Sequence, residues 1–406
     1  MQFNKQTLQR ILFFSGAASL IIIYLLSWVD VITDPSQRTA SDFMAFYAAG
    51  RSALEHTPAD AYDVAYTKAN EEKVLGYRIA DRDVNFLVHP PLVLPFLWLI
   101  AHFEYVPAFY LWAGFLLILC ALCAQMTITL FKTVQGVNRL VLWCGTFLFF
   151  PLYISVVNGQ TSAMLLLGVL LWYYGFTKNS SQIAGLGLAL ATISPHIALI
   201  LAVPFFFSPV YRKVWWWFCL GAGILATISV AMVGIHGVQN YLHVLTLSAS
   251  GEDYHTHESA MVNLIGLLKR MMPNLDAATI RITGWIASLL GLISLCAISR
   301  KLSSPDDKFI SLSVIVAIFA TAHLHYHDLA LLIVPMLIVI RRLAVAQNDL
   351  LGWAVLLPFG VSLLFTLTYS VPQLTYLIIY LVELVLLISP WLIQNQYEMS
   401  PSPGAE

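Results

Sequence analysis

The amino-acid sequence predicts an all-α polytopic membrane protein, one bundle of about 12 transmembrane helices with amphipathic interfacial helices in its first long polar loop. Three observations predict it. Of 406 residues, 59% are hydrophobic and 11% charged, where a soluble domain carries about 25% charged residues. Apolar runs close to the ~20 residues that cross hydrocarbon recur along nearly the whole length. The polar residues gather into a few segments, chiefly 30–90 and 235–281.

Lys5 and Arg10 precede an apolar stretch at 11–29. It is longer than the core of a secretory signal and no small-residue cleavage site follows, so it reads as an uncleaved first span. Residues 30–90 form the first polar loop. Within it, 42–55 carries apolar residues close to a helical stripe, with Ser41 as its N-cap, and 66–77 is a charged amphipathic helix. Both suit the plane of the membrane interface. Apolar segments follow at 91–103, 106–131, 140–157 and 161–176, the last two divided by Asn158-Gly159-Gln160. The run 182–207 is interrupted at Ser194-Pro195-His196 and reads as one kinked span, with a broken hairpin as the alternative. Residues 214–234 span again and 235–281 form the second polar loop. Further spans fall at 282–299, 309–322, 329–340, 350–368 and 374–393. Residues 1–395 thus make one integral-membrane domain, and 396–406 a disordered tail.

Lys and Arg cluster at Lys5/Arg10, Arg212/Lys213, Arg300/Lys301/Lys308 and Arg341/Arg342. With 182–207 as one span, these clusters share the cytoplasmic side. Residues 30–90, 235–281 and 323–328 then lie together on the other side. Lys132, Arg139 and Lys178 fall there too, against the rule. A hairpin at 182–207 reverses the parity and requires 91–131 to be recounted. The net charge of −1 supplies no field for nucleic acid. No nucleotide-cradling glycine loop is present. The five cysteines all sit in apolar runs, as small buried hydrophobes do.

Chemistry-bearing residues are few. Asp42 is a carboxylate just after the first span, placed to serve as a general base or to bind a cation, or to favour a helix N-terminus. Arg51 suits a phosphate or an interfacial anchor. His89, held extended before Pro90-Pro91, enters at the mouth of a span. His257, Glu258 and Asn263 lie in a His- and acid-rich segment whose spacing matches no metal-ligand pattern. The run His323-Leu324-His325-Tyr326-His327-Asp328 meets a span border, where three imidazoles beside an acid point to a functional contact. Asp81-Arg82-Asp83 is a bare Asp-x-Asp. No metal site and no cofactor is predicted.

With these residues in view, the chain resembles glycosyltransferase family 87, integral-membrane transferases of the GT-C fold. The resemblance rests on Asp42-Phe43 with Tyr47, Ala49, Gly50 and Arg51, then Tyr62-Asp63, Phe86 with His89-Pro90-Pro91-Leu92, and Asn158-Gly159-Gln160. It continues through residues 184–189 with Pro195-His196, Asn263-Leu264 with Gly266-Leu267-Leu268, and His327. The family's usual Lys before Pro195 is Ser194 here. The resemblance implies a sugar, often mannose, moved from a polyprenyl-phosphate donor to a lipid- or glycan-linked hydroxyl. It places the family's essential acid on Asp42. The expected reaction is a single inverting displacement on the non-cytoplasmic face, with Asp42 as base and Arg51, His89, His325 and His327 as candidates to hold the leaving phosphate. His257, Glu258 and Asn263 are further candidate substrate contacts. The expected partners are that donor, the acceptor and membrane lipids, with no nucleic acid, in a bacterial inner or plasma membrane. A transporter or flippase of lipid-linked sugars is the alternative.

Overall fold

The computed structural model describes residues 4–132, 134–249, 258–302 and 306–398. Among them every regular element is helical and there is no strand. In chain order the helices are α1 (Lys5–Thr33), α2 (Pro35–Thr39), α3 (Phe43–Glu55), α4 (Val64–Leu75), α5 (Leu94–Ile100), α6 (Tyr105–Leu130), α7 (Arg139–Phe147), α8 (Phe150–Asn158), α9 (Ser162–Thr177) and α10 (Ser181–Leu190). They continue with α11 (Pro195–Ala202), α12 (Pro204–Phe207), α13 (Arg212–Ser248), α14 (Leu264–Met271), α15 (Ala277–Ser299), α16 (Asp307–Ala320), α17 (Ile333–Val345), α18 (Leu351–Ala354), α19 (Leu357–Thr368) and α20 (Pro372–Glu398). Among the described residues six stretches are long and apolar enough to cross a membrane: α1, α6, Arg139–Asn158 (α7 running into α8), α13, α15 and Pro372–Ile393 of α20. Shorter apolar helices lie between them.

Burial sorts the helices. Most side chains of α9 and α17 are buried, which makes them the middle of the bundle. α1, α13, α15 and α20 instead turn rows of leucine and isoleucine outward, such as Leu25 at 62% and Leu290 at 58% exposure. Exposed apolar rows on long helices suit hydrocarbon as the surrounding solvent.

Helix ends converge on two faces. The first polar loop, the end of α16 and the start of α20 meet at one end, which holds a cavity. The clusters Lys5/Arg10, Arg212/Lys213, Arg300/Lys301/Lys308 and Arg341/Arg342 collect at the other end. There Lys5 donates to the carbonyl of Asp349 at 2.7 Å. Arg341 and Arg342 face Asp307 and Asp306, each at 3.6 Å.

Several sequence expectations change. The run 182–207 is a broken hairpin and not one kinked span. Phe205, at its far end, meets Phe176 at the end of α9 with ring centroids 5.2 Å apart. His196, in its middle, lies 6.4 Å from His323 near the cavity. Ser194 breaks the helix, and Pro195 starts the returning arm. Residues 91–103 do not cross. α5 is seven residues long, and the chain returns to the cavity end, where Arg51 donates to the carbonyl of Ala101 and Tyr47 to that of Phe103. Both changes move Lys132, Arg139 and Lys178 to the basic end, because α6 and α9 run away from the cavity.

α3 is not an interfacial helix: Phe43 through Gly50 are all buried. Its small residues let α5 close on it, and a Cβ on Gly50 would stand 2.6 Å from the carbonyl oxygen of Leu97. The charged helix predicted at 66–77 is α4, ended by Gly76 in the left-handed region. The second polar loop starts later than expected, because α13 bends at Gly234 and continues as helix to Ser248. Residues 399–406 of the predicted tail lie outside the described residues, and 396–398 continue α20.

Candidate active site

Asp42 sits where three short-range decisions meet. Arg38 donates to the carbonyls of Val31 and Ile32, closing the end of α1. Ser41, expected as the cap of α3, instead donates to the carbonyl of Arg38 at 2.6 Å. Asp42 itself takes the cap position with helical backbone angles, and its side chain makes no cap hydrogen bond. The carboxylate is therefore left for a partner from elsewhere in the chain. That partner is Gln160, whose Nε2 donates to Oδ2 at 2.8 Å.

The Asn158-Gly159-Gln160 turn explains how Gln160 arrives. Gly159 ends α8 with φ at +75°, a conformation that favours glycine. A Cβ there would stand 2.6 Å from the Cβ of Phe43, the residue after Asp42. The indole of Trp112 donates to the Gly159 carbonyl at 2.7 Å. Ser155 and Gln160 exchange two bonds, at 2.7 and 2.8 Å. The turn is thus pressed onto the start of α3, with Gln160 delivered to Asp42.

The histidine run forms a second wall. The Ser162 hydroxyl lies 2.8 Å from Asp328 Oδ1 and 2.8 Å from His327 Nδ1, and those two atoms are 3.2 Å apart. A hydroxyl donating to the carboxylate can accept from the Nδ1–H of His327, which fixes that ring's orientation. Burial opposes charge on both groups, yet their mutual attraction prevails. The Asp328 carboxyl stays well below the usual range, and the His327 imidazole rises above its own, with the Asp42 charge adding to that rise.

His89 and His323 behave differently. Burial, with the neighbouring histidines, drives His89 down to about 3 and His323 down to about 4. Both rings are neutral at pH 7 and offer hydrogen bonds without charge. Tyr62 positions His89 by donating to its carbonyl at 2.8 Å, and the Phe46 ring packs 4.9 Å from the imidazole.

These groups line a cavity of about 480 Å³. One side carries Asp42, Asn85, His89, Asn158 and Gln160, another His323, His325 and His327, and a third Tyr326, Tyr369 and Tyr376. The His325 ring stands 4.7 Å from His323 and 6.0 Å from His327. Of the predicted residues, the cavity therefore brings together Asp42, His89, His325 and His327.

The others lie elsewhere. Arg51 is not among the lining residues; its guanidinium pairs with Glu55 one turn along α3 and bonds the Ala101 carbonyl. Asn263 is fully buried, capping α14 through Gly266 N–H and donating to the Thr321 carbonyl at 2.7 Å. Glu258 is buried between Lys269 and Arg281. His257 lies outside the described residues. Asp81 pairs with Lys68 at 2.6 Å, away from the cavity lining. Among the described residues no group of three or more His, Cys, Asp or Glu is arranged to hold a metal ion.

Sequence reasoning left out Gln160, Ser162, Asn85 and the tyrosines of α20 and of the turn before it. Gln160 had a local signal, a Gly turn between two apolar runs. The tyrosines had none, since aromatics at span ends are ordinary interface anchors.

The model of glycosyltransferase family 87 matches residues 86–335, more than half of the chain. The match contains His89, Gln160, Ser162 and the whole run 323–328, and it begins after Asp42. Comparison with curated proteins finds no match. On the family match, the chain belongs to glycosyltransferase family 87.

Proposed function

We propose that this membrane glycosyltransferase moves a hexose such as mannose from a polyprenyl-phosphate donor to a lipid- or glycan-linked hydroxyl, with inversion, in the cavity at Asp42. The observation that carries the reading is one carboxylate, tied by a single oxygen to Gln160, sharing a cavity with an imidazole whose charged form is favoured by Asp328. Those are a base and a counter-charge lining one sugar-sized space.

In this reading Asp42 takes the proton of the acceptor hydroxyl through the oxygen that Gln160 leaves free. The acceptor oxygen bonds to the anomeric carbon as the carbon–oxygen bond to phosphate breaks. The electron pair leaves with the polyprenyl phosphate. His327, protonated, offsets the charge that builds on the departing phosphate oxygen. His89, neutral, orients hydroxyl groups. Tyr326, Tyr369 and Tyr376 provide aromatic surface for the sugar or the first part of the lipid. Asp42 then passes its proton to water, and attack from the face opposite the phosphate inverts the centre.

Basic residues gathered at the far end of the bundle support a cavity on the non-cytoplasmic side of a GT-C-type fold. The test is transfer from a panel of polyprenyl phosphosugars to membrane extracts by purified protein, with product analysis. Asp42→Asn is expected to lower turnover by about 10²–10⁴-fold with donor binding retained. Turnover unchanged in that variant would remove Asp42 as the base. Donor movement across vesicles without acceptor, and no glycoside product, would favour a flippase instead.

A further inference from the structure

Arg270, near the end of α14, is not among the residues that line the polar cavity, yet it ties two parts of the cavity wall together. Its Nη1 donates to the carbonyls of Ser259 at 2.8 Å and Met261 at 2.7 Å. Ala260, between those two, lines the cavity. Its Nη2 donates to the Tyr380 hydroxyl at 2.7 Å. The guanidinium carbon lies over the Tyr376 ring, 3.4 Å from the centroid, and Tyr376 lines the cavity as well. Tyr376 and Tyr380 stand one turn apart on α20, so one side chain grips both.

The local sequence makes room for this clasp. Asn263 caps α14 by accepting the Gly266 N–H at 3.1 Å. A Cβ on Gly266 would collide with the Met261 carbonyl oxygen and stand 3.0 Å from Arg270 Nη1, so glycine there lets the carbonyl and the guanidinium meet. A guanidinium can donate to two carbonyls and a hydroxyl while laying a flat face on a ring, and an ammonium cannot. The same loop reaches the histidine wall, where Val262 N–H donates to the Leu324 carbonyl at 3.0 Å. With the guanidinium over one face of the half-buried Tyr376, the other face and the edge are left for the cavity.

Resting on the transfer reading above, we infer that Arg270 is a positioning residue for sugar transfer, holding the Tyr376 ring and the 259–261 wall in the arrangement that binds the donor. It acts through Tyr376 and touches no reacting atom. A ring that packs on a part of the donor remote from the anomeric carbon holds ground state and transition state alike, so its displacement falls on KM and not on kcat.

The test is transfer from decaprenyl phosphomannose to membrane extracts by purified protein in nanodiscs, with donor binding and thermal stability measured in parallel. Wild type is compared with Arg270→Lys, Tyr380→Phe, Tyr376→Leu and the Arg270→Lys/Tyr376→Leu double variant. Arg270→Lys keeps the charge and loses the fork; it is expected to raise the donor KM about tenfold, with kcat within about twofold of wild type. Tyr380→Phe removes one oxygen that meets Arg270 and lies outside the cavity lining, and a smaller rise in the same direction is expected. In the Tyr376→Leu background Arg270→Lys should raise KM no further, because the ring it positions is gone. An unmoved KM in Arg270→Lys would overturn the inference. So would a fully additive rise in the double variant, which would route the effect around Tyr376. A drop in kcat and melting temperature at unchanged KM would leave Arg270 a fold contact only, and overturns it too. If the variants weaken donor binding in the expected pattern but the wild type transfers no sugar, the transfer reading fails and the positioning role stands. If the wild type transfers sugar and the variants leave KM alone, the reverse holds. A wild type that neither binds nor transfers overturns both.

Discussion

Replacing Gly159 with alanine separates a backbone effect from a packing effect, because Gly76 supplies a matched control. Both glycines end a helix in the left-handed region, with φ at +75° and +76°. An added Cβ at Gly76 meets nothing within 4 Å, whereas at Gly159 it meets the Cβ of Phe43 at 2.6 Å and its Cα at 3.1 Å. Gly76→Ala should therefore cost only the left-handed backbone term, roughly 1–2 kcal/mol. Gly159→Ala adds overpacking of about 1–3 kcal/mol, since Phe43 is fully buried and has no room to retreat. The expected cost is roughly 2–5 kcal/mol. The clash also pushes apart Phe43 and residue 159, the neighbours of the two partners in the Asp42–Gln160 bond. A displacement near 1 Å at a reacting group can cost on the order of 100-fold in rate. The assay is thermal inactivation of both variants in detergent, followed by transfer rates at a temperature where both remain folded. If Gly159→Ala matches Gly76→Ala in stability and rate, Gly159 does not seat Asp42, the proposed base.

Two further predictions concern pH. The Asp328 charge lifts His327 against the effect of burial, so Asp328→Asn lets His327 lose its proton at lower pH. The alkaline limb of the transfer rate should then move to lower pH, and an unmoved limb would show that His327 charge is not needed. Glu71, buried in α4, accepts the backbone N–H of Asn85, a cavity residue, and burial raises its carboxyl from 4.5 to about 8. The folded state then holds a proton that the unfolded chain has released, so stability falls as pH rises from 4.5 toward about 8. Glu71→Gln should flatten that slope and raise the melting temperature most at pH 8, as thermal scans across pH will show.

The sequence alone determined the solvent, the class and much of the local punctuation. Long apolar runs with few charges admit little besides membrane helices, because hydrocarbon leaves no partner for an unpaired backbone group. The breaks at Asn158-Gly159-Gln160 and Ser194-Pro195 were visible as residues, since helix ends depend on chemistry a few positions long. Asp42 and the run 323–328 stood out because ionisable groups at span borders are rare in such a chain. The Arg51–Glu55 pair, at i,i+4, competes with any role for Arg51 at a phosphate.

Tertiary structure decided the rest. Whether Pro195 kinks a span or turns a hairpin depends on what the two arms pack against, and only the contacts of Phe205 with α9 and of His196 with His323 settle it. Asp42 meets Gln160 across 118 residues, and Ser162 meets His327 across 165. No periodicity encodes those meetings. They follow from the order in which buried helices stack around α9 and α17, where shape and volume choose the neighbour and every apolar run looks alike.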